Sequence, residues 1–263
     1  MDTPELHVLS LCAGVAGLDL GVRLALPRAR TVCYVEREAY ACEVLASRMA
    51  EDILDAAPIW TDLSTFDGRA WRGAVDLVIA GFPCQPFSVA GQRKHEADER
   101  HLWPEIARIV SECDPTLVFL ENVAIRAFVE PWRDLRGMGF ELSRPFAATA
   151  AELGAPHLRR RIFVLAYRQG WRPRGAGPLA PGSDESEGEA FGNGDCLPRW
   201  PEQWTRAEGK AGPLSWWASE PGVERVLHGV SSSLDRHRAL GNAVVPQQAS
   251  FALSSLLLEL PHP

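Results

Sequence analysis

No stretch of this 263-residue sequence comes near eighteen consecutive apolar residues, and its opening, MDTPELHVLS, lacks a basic start followed by an apolar core. Neither a membrane span nor secretion is expected. Cysteine is scarce: the six residues at 12, 33, 42, 84, 113 and 196 form no CxxC pair and show no His/Cys zinc spacing. The expectation is reduced thiols in a cytoplasm, and no metal. Positive charge is also short, 27 Lys and Arg against 34 Asp and Glu, for a formal charge of −7. That excludes an indiscriminately basic nucleic-acid binder but leaves room for a local basic stripe. A full GxGxxG is missing as well, because Gly14 and Gly17 are present but Cys12 stands first. A dinucleotide reading is weakened accordingly. What is there, 46% hydrophobic and 23% charged, suits a globular chain with a sizeable core, either one domain with an insertion or one large and one small domain.

Apolar strands alternate with helical stretches through the first 170 residues. HVLSLC (7–12), TVCYVE (31–36), VDLVIA (75–80) and TLVFLE (116–121) read as strands, while EREAYACEVLASRMAED and LWPEIARIVSEC have helical spacing. The alternation implies a parallel sheet covered on both faces. After Gly139, FELSRPFAATA and RRIFVLAYR are strand-like and suited to an antiparallel end of the sheet. From about Gln169 to Pro221 periodicity fades. Five of the nine tryptophans lie there, with an acidic, glycine-punctuated stretch, PGSDESEGEAFGNGD, that reads as a flexible loop. QQASFALSSLLLEL reads as a closing helix.

Three local features point toward a site, and each also has a plain reading. Gly14 and Gly17 would let a ligand approach backbone amides at a helix N-terminus, or they serve a tight turn and nothing more. Glu36, ending the second strand, suits ribose hydroxyls, or it is a charge at a helix start. Cys84 lies between Pro83 and Pro86 just past a buried strand, a stiff setting for a nucleophile that also suits a small buried hydrophobe. On the RRRIFVLA strand, Arg159 and Arg161 are expected to share a face while Arg160 points away.

Together these blocks resemble the DNA cytosine-5 methyltransferases over nearly the whole chain, in the family's order, and the chain is similar to a short bacterial or phage-encoded member. LSLCAGVAGLDLG matches the cofactor loop, GFPCQPFS (81–88) the nucleophile loop, ENV (121–123) the motif that holds the base, APHLRRR (155–161) the usual PQxRxR, and ALGNAVVPQ (239–247) the C-terminal block. The resemblance implies an α/β, Rossmann-like S-adenosylmethionine-dependent fold, a mostly parallel sheet with an antiparallel end hairpin. A discontinuous catalytic domain, 1–168 and 226–263, would carry a small irregular target-recognition region at 169–225. The C-terminal block would fold back beside the first loop and put Asn242 next to Gly14 and Leu18.

By the same resemblance, S-adenosyl-L-methionine, leaving as S-adenosyl-L-homocysteine, would be held by Leu11, Cys12, Ala13, Gly14, Gly17, Leu18, Glu36, Arg37, Asp62, Leu63, Pro83, Leu102, Asn242 and Ala243. The thiolate of Cys84 would add to carbon 6 of a flipped-out cytosine and activate carbon 5 for methylation. Glu121 would serve N3 and the exocyclic amine, Arg161 the oxygen at position 2, and Arg159 the active-site loop or a phosphate. Gln85, Ser88, Asn122, Val123 and Arg93 would contact substrate, with residues 85–101 as a mobile loop. Three departures stand out: His157 where Gln is usual, Ser10 in place of the acid that commonly opens the first block, and Ala16 in place of a glycine. The implied partner is double-stranded DNA bound by a monomer in the cytoplasm, with a cognate restriction endonuclease as a further candidate. Methylation of transfer RNA by the same chemistry is the main alternative. A nicotinamide oxidoreductase would leave GFPCQPFS and ENV without a role.

Overall fold

The computed structural model describes residues 6–83, 101–155, 157–171 and 241–260. In chain order its elements are β1 (Leu6–Leu11), α1 (Gly17–Ala25), β2 (Ala29–Val35), α2 (Ala39–Ala50), β3 (Ile59–Trp60), β4 (Leu77–Gly81), α3 (Trp103–Cys113), β5 (Leu117–Asn122), α4 (Val129–Gly137), β6 (Phe140–Leu142), β7 (Phe146–Ala148), β8 (Arg161–Arg168) and α5 (Pro246–Leu258). The described strands form one sheet in the order β3-β2-β1-β4-β5-β8-β6, with β7 also paired to β8. Pairing is parallel from β3 through β5 and antiparallel wherever β8 takes part.

The continuous apolar runs have the cause expected of them. Strands β4 and β5 are buried on both sides, so neither has a polar alternate. On one face Val8, Ile79, Phe119 and Phe163 meet Leu18 and Val22 of α1 and Leu253 and Leu256 of α5. On the other, Leu11, Val78, Val118 and Leu120 meet Trp103, Ile106 and Val110 of α3. Helices α1 and α5 approach closely at Gly21, where a methyl group would lie 2.4 Å from Ala249 Cβ. The closing helix thus packs against the first helix of the fold.

The antiparallel end is present, in two pieces. Strands β6 and β7 lie end to end along β8, interrupted at residues 143–145. Ser143 bridges the interruption: its N–H donates to Leu165 O at 2.8 Å and its hydroxyl accepts from Leu165 N at 3.0 Å. Pro145, which has no N–H to give a ladder, falls inside the same break. The chain steps outward from β1 to β3 and then returns to β4 beside β1, so strand order reverses between β1 and β4. Open sheets of this kind bind ligands at the carboxyl ends flanking such a reversal.

Candidate active site

The loop leaving β1 turns sharply. Cys12, Gly14 and Ala16 all have left-handed backbones, with φ of 53°, 54° and 60°. For the two non-glycine residues that conformation costs roughly 1–2 kcal/mol each. The loop is held by Glu36, just past β2. Its Oε2 accepts from Gly14 N–H at 2.7 Å, and its Oε1 accepts from Glu38 N–H at 2.8 Å. A carboxylate has about four acceptor sites, so capacity remains for hydroxyl donors. Beside Gly14 the space is open, with no atom within 4 Å of where a Cβ would stand. An open turn beside a carboxylate at the strand-order reversal fits the sugar and amino-acid portions of a nucleoside cofactor. The side chains of Leu11, Ala13 and Leu18 are buried in the core, so these residues can serve a ligand chiefly through backbone. The Cys12 thiol is pushed up to about 12 by burial and by Glu36, which makes it no nucleophile. Cys33, Cys42 and Cys113 are raised too, each chiefly by burial.

Asp62 and Leu63 follow β3 at the next carboxyl end. Asp62 Oδ1 accepts from Ser64 N–H at 2.8 Å and from its hydroxyl at 2.7 Å, and these bonds hold the exposed carboxyl below its ordinary range, with help from the Arg37 charge. The segment is tied down from α3 by Arg108, a residue that sequence reasoning missed. Arg108 donates to Leu63 O at 2.8 Å and Phe66 O at 2.9 Å, and pairs with Glu105 and Glu112 at 2.9 Å each. Glu112 also accepts from Gly68 N–H at 2.8 Å. Leu63 and Leu102, both partly buried, pack on the α3 side of the core.

Glu121 stands near the end of β5, 5% exposed. Arg161, the first residue of β8, brings its Nε to 2.9 Å from Glu121 Oε1. The approach gives charge compensation without a directed hydrogen bond, and that oxygen remains a buried acceptor with no donor aimed at it. Burial pushes the Glu121 carboxyl up to about 7, against the opposing pull of Arg161 and Arg159. Near neutrality such a group holds or releases a proton with little driving force. Its neighbour Asn122 is buried and occupied with backbone: Nδ2 donates to Phe82 O at 2.9 Å, and Oδ1 accepts from Val123 N at 2.8 Å and Ala124 N at 3.3 Å. These bonds tether the end of β5 to the segment after β4. Val123 is 50% exposed.

Arg159 requires a correction. Strand β8 begins only at Arg161, and Arg159 has a left-handed backbone with φ of 32°, so strand alternation does not govern it. Its charge is nonetheless felt at Glu121, and its guanidinium donates to Gly241 O at 2.9 Å and to Ala243 O. Arg160 is exposed, as expected. The C-terminal block does come beside the first loop, but through Val244: a methyl group on Gly17 would lie 2.1 Å from Val244 O. Asn242, expected against Gly14 and Leu18, is exposed. Pro83 is exposed at the last described position before 84. The candidates Cys84, Gln85, Ser88 and Arg93, and the expected recognition region beyond Trp171, lie outside the described residues. Among the described residues, no helix is long and apolar enough to cross a membrane, and no three His, Cys, Asp or Glu side chains converge as a metal site.

Comparison with known proteins converges on one family. The family model for C-5 cytosine-specific DNA methylase matches residues 6–189. The type II methyltransferase M.NgoMIV of Neisseria gonorrhoeae is 32% identical over 172 residues, covering 61% of this chain and 51% of that protein. The type II methyltransferase M.CviJI of Paramecium bursaria Chlorella virus IL3A is 30% identical over 173 residues, covering 64% and 44%. The chain thus spans about half the length of these relatives. Among solved structures, a DNMT2 mutant of Spodoptera frugiperda superposes with a TM-score of 0.53 at 18% identity, covering 63% of this chain and 51% of that one. The Dnmt2 methyltransferase of S. pombe gives 0.52 at 24%, covering 62% and 51%. These two likenesses are of fold.

Proposed function

The chain belongs to the C-5 cytosine-specific DNA methylase family, and on that premise we propose that it transfers a methyl group from S-adenosylmethionine to carbon 5 of a flipped-out cytosine in duplex DNA. The observation that carries the reading is Glu121: a buried acid titrating near neutrality, with one oxygen that no donor addresses, at the carboxyl edge beside the nucleophile loop. Carbon 5 of cytosine is a poor nucleophile. Cys84, by its place in GFPCQPFS, adds as thiolate to carbon 6, and charge developing on the ring is met at N3 by the proton that Glu121 holds. Arg161 keeps Glu121 compensated and faces the oxygen at position 2. Arg159 secures the C-terminal block. When bound, S-adenosylmethionine supplies an electrophilic methyl group. After its transfer, carbon 5 loses its proton to a base and the bond between carbon 6 and sulfur breaks.

The Gly14 turn and Glu36 hold the ribose and methionine portions, and Asp62 and Leu63, with Arg37 nearby, hold the adenine. Pro83, Leu102, Asn242 and Ala243 complete the enclosure. Residues 1–168 and 226–263 make the catalytic domain, a reading supported by the packing of α5 on α1, and 169–225 read the target. The relatives' names, type II methyltransferases, favour DNA over transfer RNA and fit a modification partner of a restriction endonuclease acting in the cytoplasm. The test is duplex DNA carrying 5-fluorocytosine, where fluorine cannot leave as a proton. The protein is expected to form an adduct that survives denaturant, and Cys84→Ala is expected to form none. An active preparation that leaves no adduct would overturn the mechanism.

A further inference from the structure

Gln248, in the first turns of α5, is fully buried, yet it is a polar residue on a helix that otherwise buries small and aliphatic side chains. Its Nε2 donates to Ala148 O at 2.7 Å and to Arg159 O at 2.8 Å. Two carbonyl acceptors fix which way the carboxamide faces, and Oε1 is left as a buried acceptor without a partner. The unpaired oxygen costs stability, and the two carbonyls that Nε2 satisfies, which an apolar side chain would leave without a donor, offset that cost. Arg159, whose carbonyl it holds, sits in the left-handed region and sends its guanidinium back to Gly241 O and Ala243 O. The clamp is therefore reciprocal: α5 grips the backbone of the arginine segment, and the arginine segment grips the backbone leading into α5.

We propose that Gln248 is a positioning residue for the site: by fixing the backbone of Arg159, it keeps the Arg159 guanidinium on the C-terminal block and within electrostatic reach of Glu121. Among the described residues, the charged groups facing Glu121 are Arg161 from β8 and Arg159 from the segment ahead of it, and Gly81 at the end of β4 adds none. Arg161 is seated by its own strand. Arg159 has no strand to seat it, and Gln248 supplies the missing constraint. When Gln248 is lost, the carbonyl of Arg159 is unpaired, its strained backbone relaxes, and its charge moves away from Glu121. The carboxyl then holds its proton to higher pH. The proposal rests on Glu121 being the near-neutral acid of the site.

The experiment is a titration of the glutamate carboxyl carbons by NMR in the full chain labelled with carbon-13, with Glu121→Gln assigning the signal. Wild type is expected to titrate near neutrality, and a Glu121 midpoint in the ordinary carboxylate range would overturn the reading of Glu121 itself. Given a near-neutral midpoint, Gln248→Met is expected to shift it upward. Arg159→Met is expected to shift it in the same direction, and Gln248→Met on the Arg159→Met background is expected to add nothing. Gln248→Asn, too short to reach both carbonyls, is the second variant should Gln248→Met not fold. An unmoved Glu121 midpoint in a folded Gln248 variant, or in Arg159→Met, would overturn the clamp, since a merely structural glutamine would lower thermal stability and leave that midpoint in place.

Discussion

The Ser10 hydroxyl donates to Asp19 Oδ2 at 3.0 Å, from β1 to α1. Ser10 stands where the family's first block commonly carries an acid, and this bond brings a carboxylate to it from the helix. Asp19 Oδ1 also accepts from Thr31 Oγ1 at 3.2 Å. Burial pushes Asp19 up to about 6, against the pull of the two hydroxyls. The unfolded chain releases this proton near 3.8, so between those values the folded state binds more protons and stability falls as pH rises, the loss persisting above the window. Asp19→Asn keeps a partner for both hydroxyls and removes the buried charge. It should stabilise the protein at pH 8 by up to about 3 kcal/mol and bring no such gain at pH 3.5, read from urea unfolding at both values. Equal stability of the two proteins at pH 8 would contradict the assignment.

Glu121→Gln keeps the size of the side chain but leaves no proton to give at neutral pH. Methyl transfer should fall by roughly a hundredfold or more, with cofactor affinity nearly unchanged, since the proposed role of the residue is toward the base and not the cofactor. Single-turnover rates and calorimetry separate the two effects. A variant that retained its rate would remove Glu121 from the chemistry.

Arg108→Ala releases Leu63 and Phe66 from α3. The segment proposed to hold adenine loses its anchor while the reacting end is untouched. Affinity for the cofactor should fall roughly tenfold, about 1.4 kcal/mol, with kcat at saturating cofactor preserved. A fall in kcat with unchanged affinity would be the wrong pattern.

Gly17 and Gly14 should respond differently to alanine. At Gly17 the new methyl group would meet Val244 O at 2.1 Å, so the C-terminal block must move, at a cost of more than about 2 kcal/mol. Gly14 has open space and only its backbone angle to lose, about 1 kcal/mol. Thermal unfolding of the two variants checks the order.

The parts of this molecule that show in its sequence are those whose cause is local. Strands β4 and β5 are buried on both faces, which forces the continuous apolar runs LVIA and LVFL, and α3 buries a clean stripe from Ile106 to Val110. Helix α4 did not show, because it buries only Pro131 and Leu135 and carries its proline inside the pattern. Strand β3 has two residues, too few for any period. Glu36 is legible because it ends a strand, and Glu121 because it heads the ENV block just past an apolar run. Arg159 was found through a motif and placed for the wrong reason, since nothing local marks where β8 starts. Arg108 and Gln248 were missed because their partners are backbone carbonyls 42 to 100 residues away, and a carbonyl belongs to every residue alike.

The most direct test of the whole account is to incubate the purified protein with methyl-labelled S-adenosylmethionine and, separately, duplex DNA of mixed sequence and total transfer RNA, then digest each polymer to nucleosides. The account predicts label in 5-methyldeoxycytidine from the DNA, absent from Cys84→Ala, and none above background from the transfer RNA. Label at the exocyclic amine of cytosine or adenine, or label confined to the transfer RNA, would contradict it.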